Sequence, residues 1–352
     1  MVQDHDHVYG DVAETDKHEN YLLEASLTGQ QSNWDWVLGL AYQSDSYSSE
    51  TYPDFDFSYD VPGLFGQVDY DFTQDLSLSV SGRVDDHSEY GTQFSPRVSL
   101  LYRPGDWTIR GSVAEGFFAP TPFVEEIEAS GLSRLLLLED LEEETARTAS
   151  LDVGYRRGPF EGNVTVFASD VENATILEEV SSTTNGPADR VRLVNLDGTT
   201  RIRGSELVLR YVWNDFKLTG SYLYTDSSEP SADGLTREEV ALTPQHTAGM
   251  VAMWERHGEF RLGLEMYYTG EQRVEGNPYR SVSKAYLDVG ILGEITIGPA
   301  SWFINAENIL NVRQTREDSL LLQQRSAHGQ WTTDIWSRND GFIVNGGVRL
   351  RF

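Results

Sequence analysis

From Gly341 to Phe352, apolar and polar residues alternate up to the last position of the chain. Phe342, Val344, Val348, Leu350 and Phe352 share one face with Gly346, while Asn345, Gly347, Arg349 and Arg351 share the other. A β-strand repeats every two residues, so this segment is a strand with one apolar and one polar face. At the open edge of a soluble sheet such a strand is an aggregation hazard. With its apolar face in lipid and its polar face in a wet lumen it is at ease, and its final aromatic falls at the membrane interface.

The same period recurs along the whole chain. Leu76, Leu78, Val80 and Val84 alternate with Ser77, Ser79, Ser81 and Arg83. Trp107, Ile109 and Val113 alternate with Thr108, Arg110 and Ser112, and Phe260, Leu262, Leu264, Met266 and Tyr268 with Arg261, Gly263 and Glu265. Equivalent sets occupy 97–103, 149–155, 160–168, 216–224 and 287–295. None of them fits helical spacing.

The connections carry a second signal. Short turns fall at 30–33, 72–75, 103–106, 156–159, 213–215, 256–258 and 298–300. Between them lie longer stretches at 45–60, 85–94, 117–144, 172–200, 226–243, 271–284 and 311–340. Strict alternation of short and long puts all short turns on the side of the C-terminus. That asymmetry belongs to a transmembrane barrel, with short periplasmic turns and longer extracellular loops. Sandwiches and propellers lack it. The spacing predicts an all-β, antiparallel outer-membrane barrel with about 15 or 16 strands in residues 1–352.

Composition narrows the function. A net charge of −29 opposes nucleic-acid binding, which needs a basic face. With no cysteine there is no disulfide framework, thiolate metal site or cysteine nucleophile. No window approaches the roughly 18 apolar residues of a transmembrane helix. The start, Met-Val-Gln-Asp-His-Asp-His, has neither the basic nor the apolar region of a signal peptide. No GxSxG motif supports a hydrolase.

Five segments carry a resemblance to the TonB-dependent receptors of Gram-negative outer membranes: Phe94-Ser-Pro-Arg-Val-Ser-Leu-Leu-Tyr-Arg-Pro, Glu115-Gly-Phe-Phe-Ala-Pro-Thr-Pro-Phe-Val-Glu-Glu, Leu141 to Tyr155, Arg201-Ile-Arg-Gly-Ser-Glu-Leu and Asn305-Ala-Glu-Asn-Ile-Leu-Asn-Val. Each is short, but their order and their spacing to the C-terminus make the set specific, although Phe118 stands where the family has Arg or Lys. The C-terminal strand resembles the assembly signal of outer-membrane barrels. The resemblance implies a 22-stranded parent barrel, with a plug domain that residues 1–60 do not resemble. This chain then supplies lumen and loops. The implied function is energy-coupled uptake of a large scarce nutrient, such as an iron–siderophore complex or cobalamin. The implied partners are outer-membrane lipid and lipopolysaccharide, the nutrient, the plug and through it the TonB complex, and the barrel-assembly machinery. A porin-like channel is the first alternative, and an outer-membrane enzyme with a loop-borne site the second.

Loops on a rigid scaffold usually carry function. Aromatics there give large contact area at low entropic cost. Tyr52, Phe55, Phe57, Phe117, Phe118, Trp331 and Trp336 are therefore the expected ligand contacts. No cofactor is expected beyond a calcium ion that Asp54, Asp56 and Asp60 could hold, since oxygen-rich loops bind calcium. His5 and His7 form an HxH pair, read as part of a solvated terminus. The run Leu135–Leu138 is expected to tuck into the mouth or cross the rim. His246 is expected to open a strand at the interface. The first strand is placed near His7–Thr15 and alternates poorly. It is therefore not expected to close against the last strand, and because unpaired backbone is costly in lipid the isolated chain is expected not to fold stably in detergent, whereas a parent with plug and upstream strands is.

Overall fold

The computed structural model describes residues 1–9, 12–122, 132, 135–180, 190–231, 235–275, 277–325, 331–333 and 335–350. The strands are β1 (Val2–Tyr9), β2 (Val12–Gln31), β3 (Trp34–Ser49), β4 (Phe57–Asp71), β5 (Leu76–His87), β6 (Gly91–Tyr102) and β7 (Trp107–Phe118). They continue as β8 (Glu144–Arg157), β9 (Phe160–Glu172), β10 (Thr175–Val180), β11 (Arg190–Asn195), β12 (Thr199–Trp213), β13 (Phe216–Pro230) and β14 (Arg237–Glu238). The last are β15 (His246–Arg256), β16 (Phe260–Thr269), β17 (Tyr286–Ile297), β18 (Ala300–Glu307), β19 (Leu321–Arg325), β20 (Trp331–Thr333) and β21 (Ile343–Leu350). A 17-stranded sheet contains all but two hairpins, β10–β11 and β19–β20. Its long strands form an antiparallel meander, each paired with the next along the chain.

Register decides what each face meets. Trp36, Val68, Val80, Val98, Val113, Ala149 and Ala168 are successive partners across seven strands, from β3 to β9. Val80 and Val113 remain 45% and 56% exposed, because this face points away from the lumen. The neighbouring row on the other face is Asp69, Ser79, Ser99, Ser112 and Ser150. The hydroxyls of Ser112 and Ser150 meet there at 2.9 Å. Leu76, Leu78 and Val80 thus face outward as the alternation predicts. A slip of one residue in β5 would put Ser77, Ser79 and Ser81 in lipid.

Outward aromatics mark the two edges of the apolar belt. At the short-turn end Trp34 packs on Tyr70, Trp107 on Tyr155 and Trp254 on Phe260, with centroids 4.5–4.8 Å apart. At the other end His246 opens β15 and shares a 2.8 Å hydrogen bond with the Tyr222 hydroxyl, at the expected interface. The seven predicted short turns are all present, β2–β3 through β17–β18. Asn214 at φ 50° makes possible the two-residue turn from Trp213 to Phe216, since asparagine tolerates the left-handed region that tight hairpins need.

Three expectations need correction. The segment 7–15 is not one strand: Val8 pairs with Ala13 and Tyr9 with Val12, so its two ends belong to two antiparallel strands, β1 and β2. Alternation cannot separate a long strand from a hairpin, whereas Gly-Asp at 10–11 is a turn-forming pair. The terminus bearing His5 is likewise a paired strand, with His5 Nδ1 3.1 Å from the Asp16 carboxylate. Finally, the stretches 45–60 and 85–94 are mostly strand, leaving only 50–56 and 88–90 as connections. Above the belt both faces are wet or covered by loops, so pairing continues where the apolar period has ended. Arg351, Phe352 and the side chains of His7 and Trp331 lie outside the described residues.

Candidate functional site

The buried apolar core lies at the long-loop mouth. Tyr47, Phe55, Leu132, Leu135, Val191 and Leu193 are each at most 7% exposed and form one cluster. Tyr52, Phe57, Leu138, Leu141 and Leu177 pack against it. Leu135 bridges to Val191. The β7–β8 connection and the β10–β11 hairpin therefore reach the β3–β4 rim, and the Leu135–Leu138 run enters the mouth as expected.

Beside this cluster runs a ladder of rings on the inward face. Alternation along β3, β4 and β5 puts Tyr47, Phe57, Tyr59 and His87 on the face of Arg83 and Asp85. Phe57 stacks on Tyr47 at 5.9 Å and on Tyr59 at 4.7 Å. Tyr59 meets His87 at 4.9 Å, and His87 meets Tyr90 at 5.1 Å. His18 joins edge-on, 6.4 Å from Tyr47, with its Nε2 2.6 Å from Asp45. Burial pushes the Tyr47, Tyr59 and Tyr90 hydroxyls up from the ordinary tyrosine range and the His87 ring below the usual histidine value. The phenols stay neutral at physiological pH. They present neutral π faces rather than charge.

A second cluster ties the β16–β17 and β18–β21 connections together around Trp336, which is 5% exposed. Its indole N–H donates to Asp318 at 3.2 Å, and the Arg280 guanidinium lies 5.0 Å above its ring. Arg280 also forks onto Asp318, holding that carboxyl below the usual range. Gln314, fully buried, accepts the Trp336 backbone N–H at 2.8 Å. Alongside, Arg273 bridges Glu229 and Glu238, each at 2.7 Å. Burial nevertheless raises the Glu229 carboxyl, the arginine only partly opposing it.

The expected contacts thus separate. Tyr52, Phe55 and Phe57 come together on the β3–β4 rim, with Phe55 buried and Phe57 in the ladder. Phe117 falls on the outward side with Val113. Phe118 falls on the inward side and is 52% exposed, so its ring is open to the mouth. Trp336 is buried in the other cluster. Asp54, Asp56 and Asp60 do not converge. Asp56 accepts the Ser49 amide at 2.7 Å, Asp60 accepts the Tyr42 hydroxyl at 2.6 Å on the outward side, and Asp54 lies in a short 3-10 turn. Among the described residues no three His, Asp or Glu side chains gather as a metal ion needs. The rings of His18, Tyr47, Tyr59, His87 and Tyr90 were not expected, although Phe57 and Tyr59 two apart in a strand signal a shared face.

An inward aromatic rim on a wide sheet, lipid-facing outside and with its long loops on one side, defines an outer-membrane barrel with its mouth on the long-loop side. A family model, "TonB dependent receptor-like, beta-barrel", matches residues 3–309, and the chain belongs to that family. It is 26% identical over 251 residues to the iron-regulated outer membrane virulence protein of Vibrio cholerae, an alignment covering 66% of this chain and 38% of that protein. It is 19% identical over 278 residues to the ferrienterobactin receptor of Escherichia coli, covering 73% of this chain and 34% of that one. Its fold is similar to a ferric enterobactin receptor of Pseudomonas aeruginosa, with a TM-score of 0.69, 14% identity and coverage of 96% of this chain and 54% of that one. The siderophore receptor of Acinetobacter baumannii gives 0.69 at 15% identity, covering 97% and 55%. The chain therefore spans well under half the length of these curated relatives and about half of the solved receptors. It is an outer-membrane protein of a Gram-negative bacterium.

Proposed function

We propose that this chain is the barrel portion of a receptor for energy-coupled uptake of ferric siderophores. Supporting this reading are its family, the siderophore receptors among its relatives and, above all, the ladder of neutral aromatic rings inside the rim that carries the long loops. Chelates built on aromatic rings stack on such a surface. Phe118 and Tyr59 are the contacts this reading favours, with the TonB complex supplying the energy through the plug. The test is iron-limited growth and labelled ferric-siderophore uptake by the full-length receptor carrying Tyr59→Ala with Phe118→Ala. Uptake is expected to fall at least tenfold at unchanged receptor abundance in the membrane. Undiminished uptake would remove the ladder from the binding surface.

A further inference from the structure

The connection between β5 and β6 is held by a histidine rather than by backbone alone. His87 is 6% exposed, and its Nδ1 accepts two backbone amides, from Glu89 at 3.2 Å and Tyr90 at 3.3 Å. An imidazole nitrogen that accepts carries no proton, so these bonds require the neutral ring. The turn places Tyr90 where its hydroxyl donates to the Pro120 carbonyl at 2.8 Å. Pro120 is itself among the largest fully buried residues and lies just beyond β7. One ring thus closes the turn, seats Tyr90 and, through Tyr90, pins the chain where it leaves β7 at the mouth.

We propose that His87 is a pH-sensitive latch: protonation of its ring undoes the β5–β6 turn and releases Tyr90 from Pro120, loosening the inner rim. Protonated Nδ1 would point a hydrogen at two N–H donors, turning two attractions into two repulsions and leaving both amides unpaired. The surroundings set the direction. Burial disfavours the cation, whereas Glu89 in the turn and Asp85 on β5 favour it. Asp85 already forks onto Arg83 Nε at 2.7 and 2.9 Å, which offsets much of its pull. From β4 and from the turn, the ring meets Tyr59 and Tyr90, both neutral, with Asp45 beyond Tyr59 and Glu143 beyond Tyr90. Burial prevails, so the ring's folded-state value lies below the ordinary 6.5. A depressed value means that the latch is at full strength above about pH 6.5 and is lost as the pH falls through the folded value. A neutral medium would then keep the rim closed, and an acidic one would open it.

The test is hydrogen–deuterium exchange of the receptor in outer-membrane vesicles at pH 7.5 and 5.0, each corrected for the intrinsic exchange rate at that pH. His87→Asn is the informative variant, because an Asn side chain two and three residues before the same amides accepts them without titrating. Protection of the Glu89 and Tyr90 amides is expected to fall about tenfold or more at pH 5.0 in the native protein, because the opened turn takes up the proton below the ordinary 6.5. Peptides spanning 118–122 should gain exchange in parallel. In His87→Asn both should stay within about twofold. Tyr90→Phe should leave 118–122 unprotected at both pH values while the turn amides still respond. Equal protection of the native turn at the two pH values, or an equal fall in His87→Asn, would overturn the latch. If the variant is poorly folded, imidazole 15N shifts of the native protein decide. The expected ring has an unprotonated Nδ1 at pH 7.5 that titrates together with the amide signals, whereas titration with those signals unmoved refutes the proposal.

Discussion

A side chain in this sheet is worth what its face makes of it, and two residues of β16 show the contrast. Leu264 pairs with Ala252 and Ile291 on the outward side. Leu264→Arg is expected to cost about 2–4 kcal/mol in a bilayer, the range for a charge near the midplane. Arg261, three residues earlier, faces inward, 2.6 Å from Glu255 and 3.8 Å from Glu294. Arg261→Leu removes a partner from carboxylates that water can still reach, and exposed pairs contribute about 1 kcal/mol or less. Refolding titrations into vesicles measure both, and equal effects would refute the outward placement of Leu264. Facing was legible residue by residue wherever lipid met one side and water the other. It was not legible for Phe55 or Trp336, because an aromatic in a loop reads the same whether it meets a ligand or protein. His87 was equally silent, since nothing around it in the sequence announces two amides at Nδ1.

At the scale of elements, the strands follow from a period of two and the short turns from residues that accept positive φ. The mouth does not follow from such local rules. Its packing joins β3–β4 to segments about 80 to 140 residues away, and only tertiary contact shows that Leu135 meets Val191. One anchor of a long connection is nevertheless visible in the motif Asn305-Ala-Glu-Asn-Ile-Leu-Asn-Val. Asn308, 1% exposed and at φ 48°, donates to the carbonyls of Val312 at 2.7 Å and Asp340 at 2.9 Å, and accepts the Val312 amide at 2.8 Å. It closes both ends of the β18–β21 connection with one amide group. Asn308→Ala takes the side-chain partner from three part-buried backbone groups, of Val312 and Asp340, and puts a non-glycine, non-asparagine residue in the left-handed region. At about 0.5–1 kcal/mol for each hydrogen bond lost, the connection should lose roughly 2 kcal/mol. Limited proteolysis of intact cells should then cut between 313 and 340, with the membrane-embedded strands still resistant. Resistance equal to the native protein would show that other contacts hold the connection.

For the whole molecule the governing quantity is charge. The chain carries −29, and Glu14, Asp16 and Asp85 are buried on the inner wall near the mouth. Such a field repels an anionic ferric chelate over the distance that salt leaves unscreened, about 30 Å at 0.01 M ionic strength and 8 Å at 0.15 M. Short-range stacking on the aromatic ladder is largely insensitive to salt. On the proposed function, the two act at different stages: repulsion slows the approach and stacking holds the ligand after arrival. Association of an anionic ferric siderophore with the receptor in vesicles should therefore quicken as salt rises from 0.01 to 0.15 M, with the dissociation rate nearly constant. Rapid-mixing fluorescence of the ferric chelate's quenching of the protein measures both rates. If association slows with salt, the chelate approaches along a basic path, and arginines such as Arg273 and Arg280, rather than the ladder, guide it in.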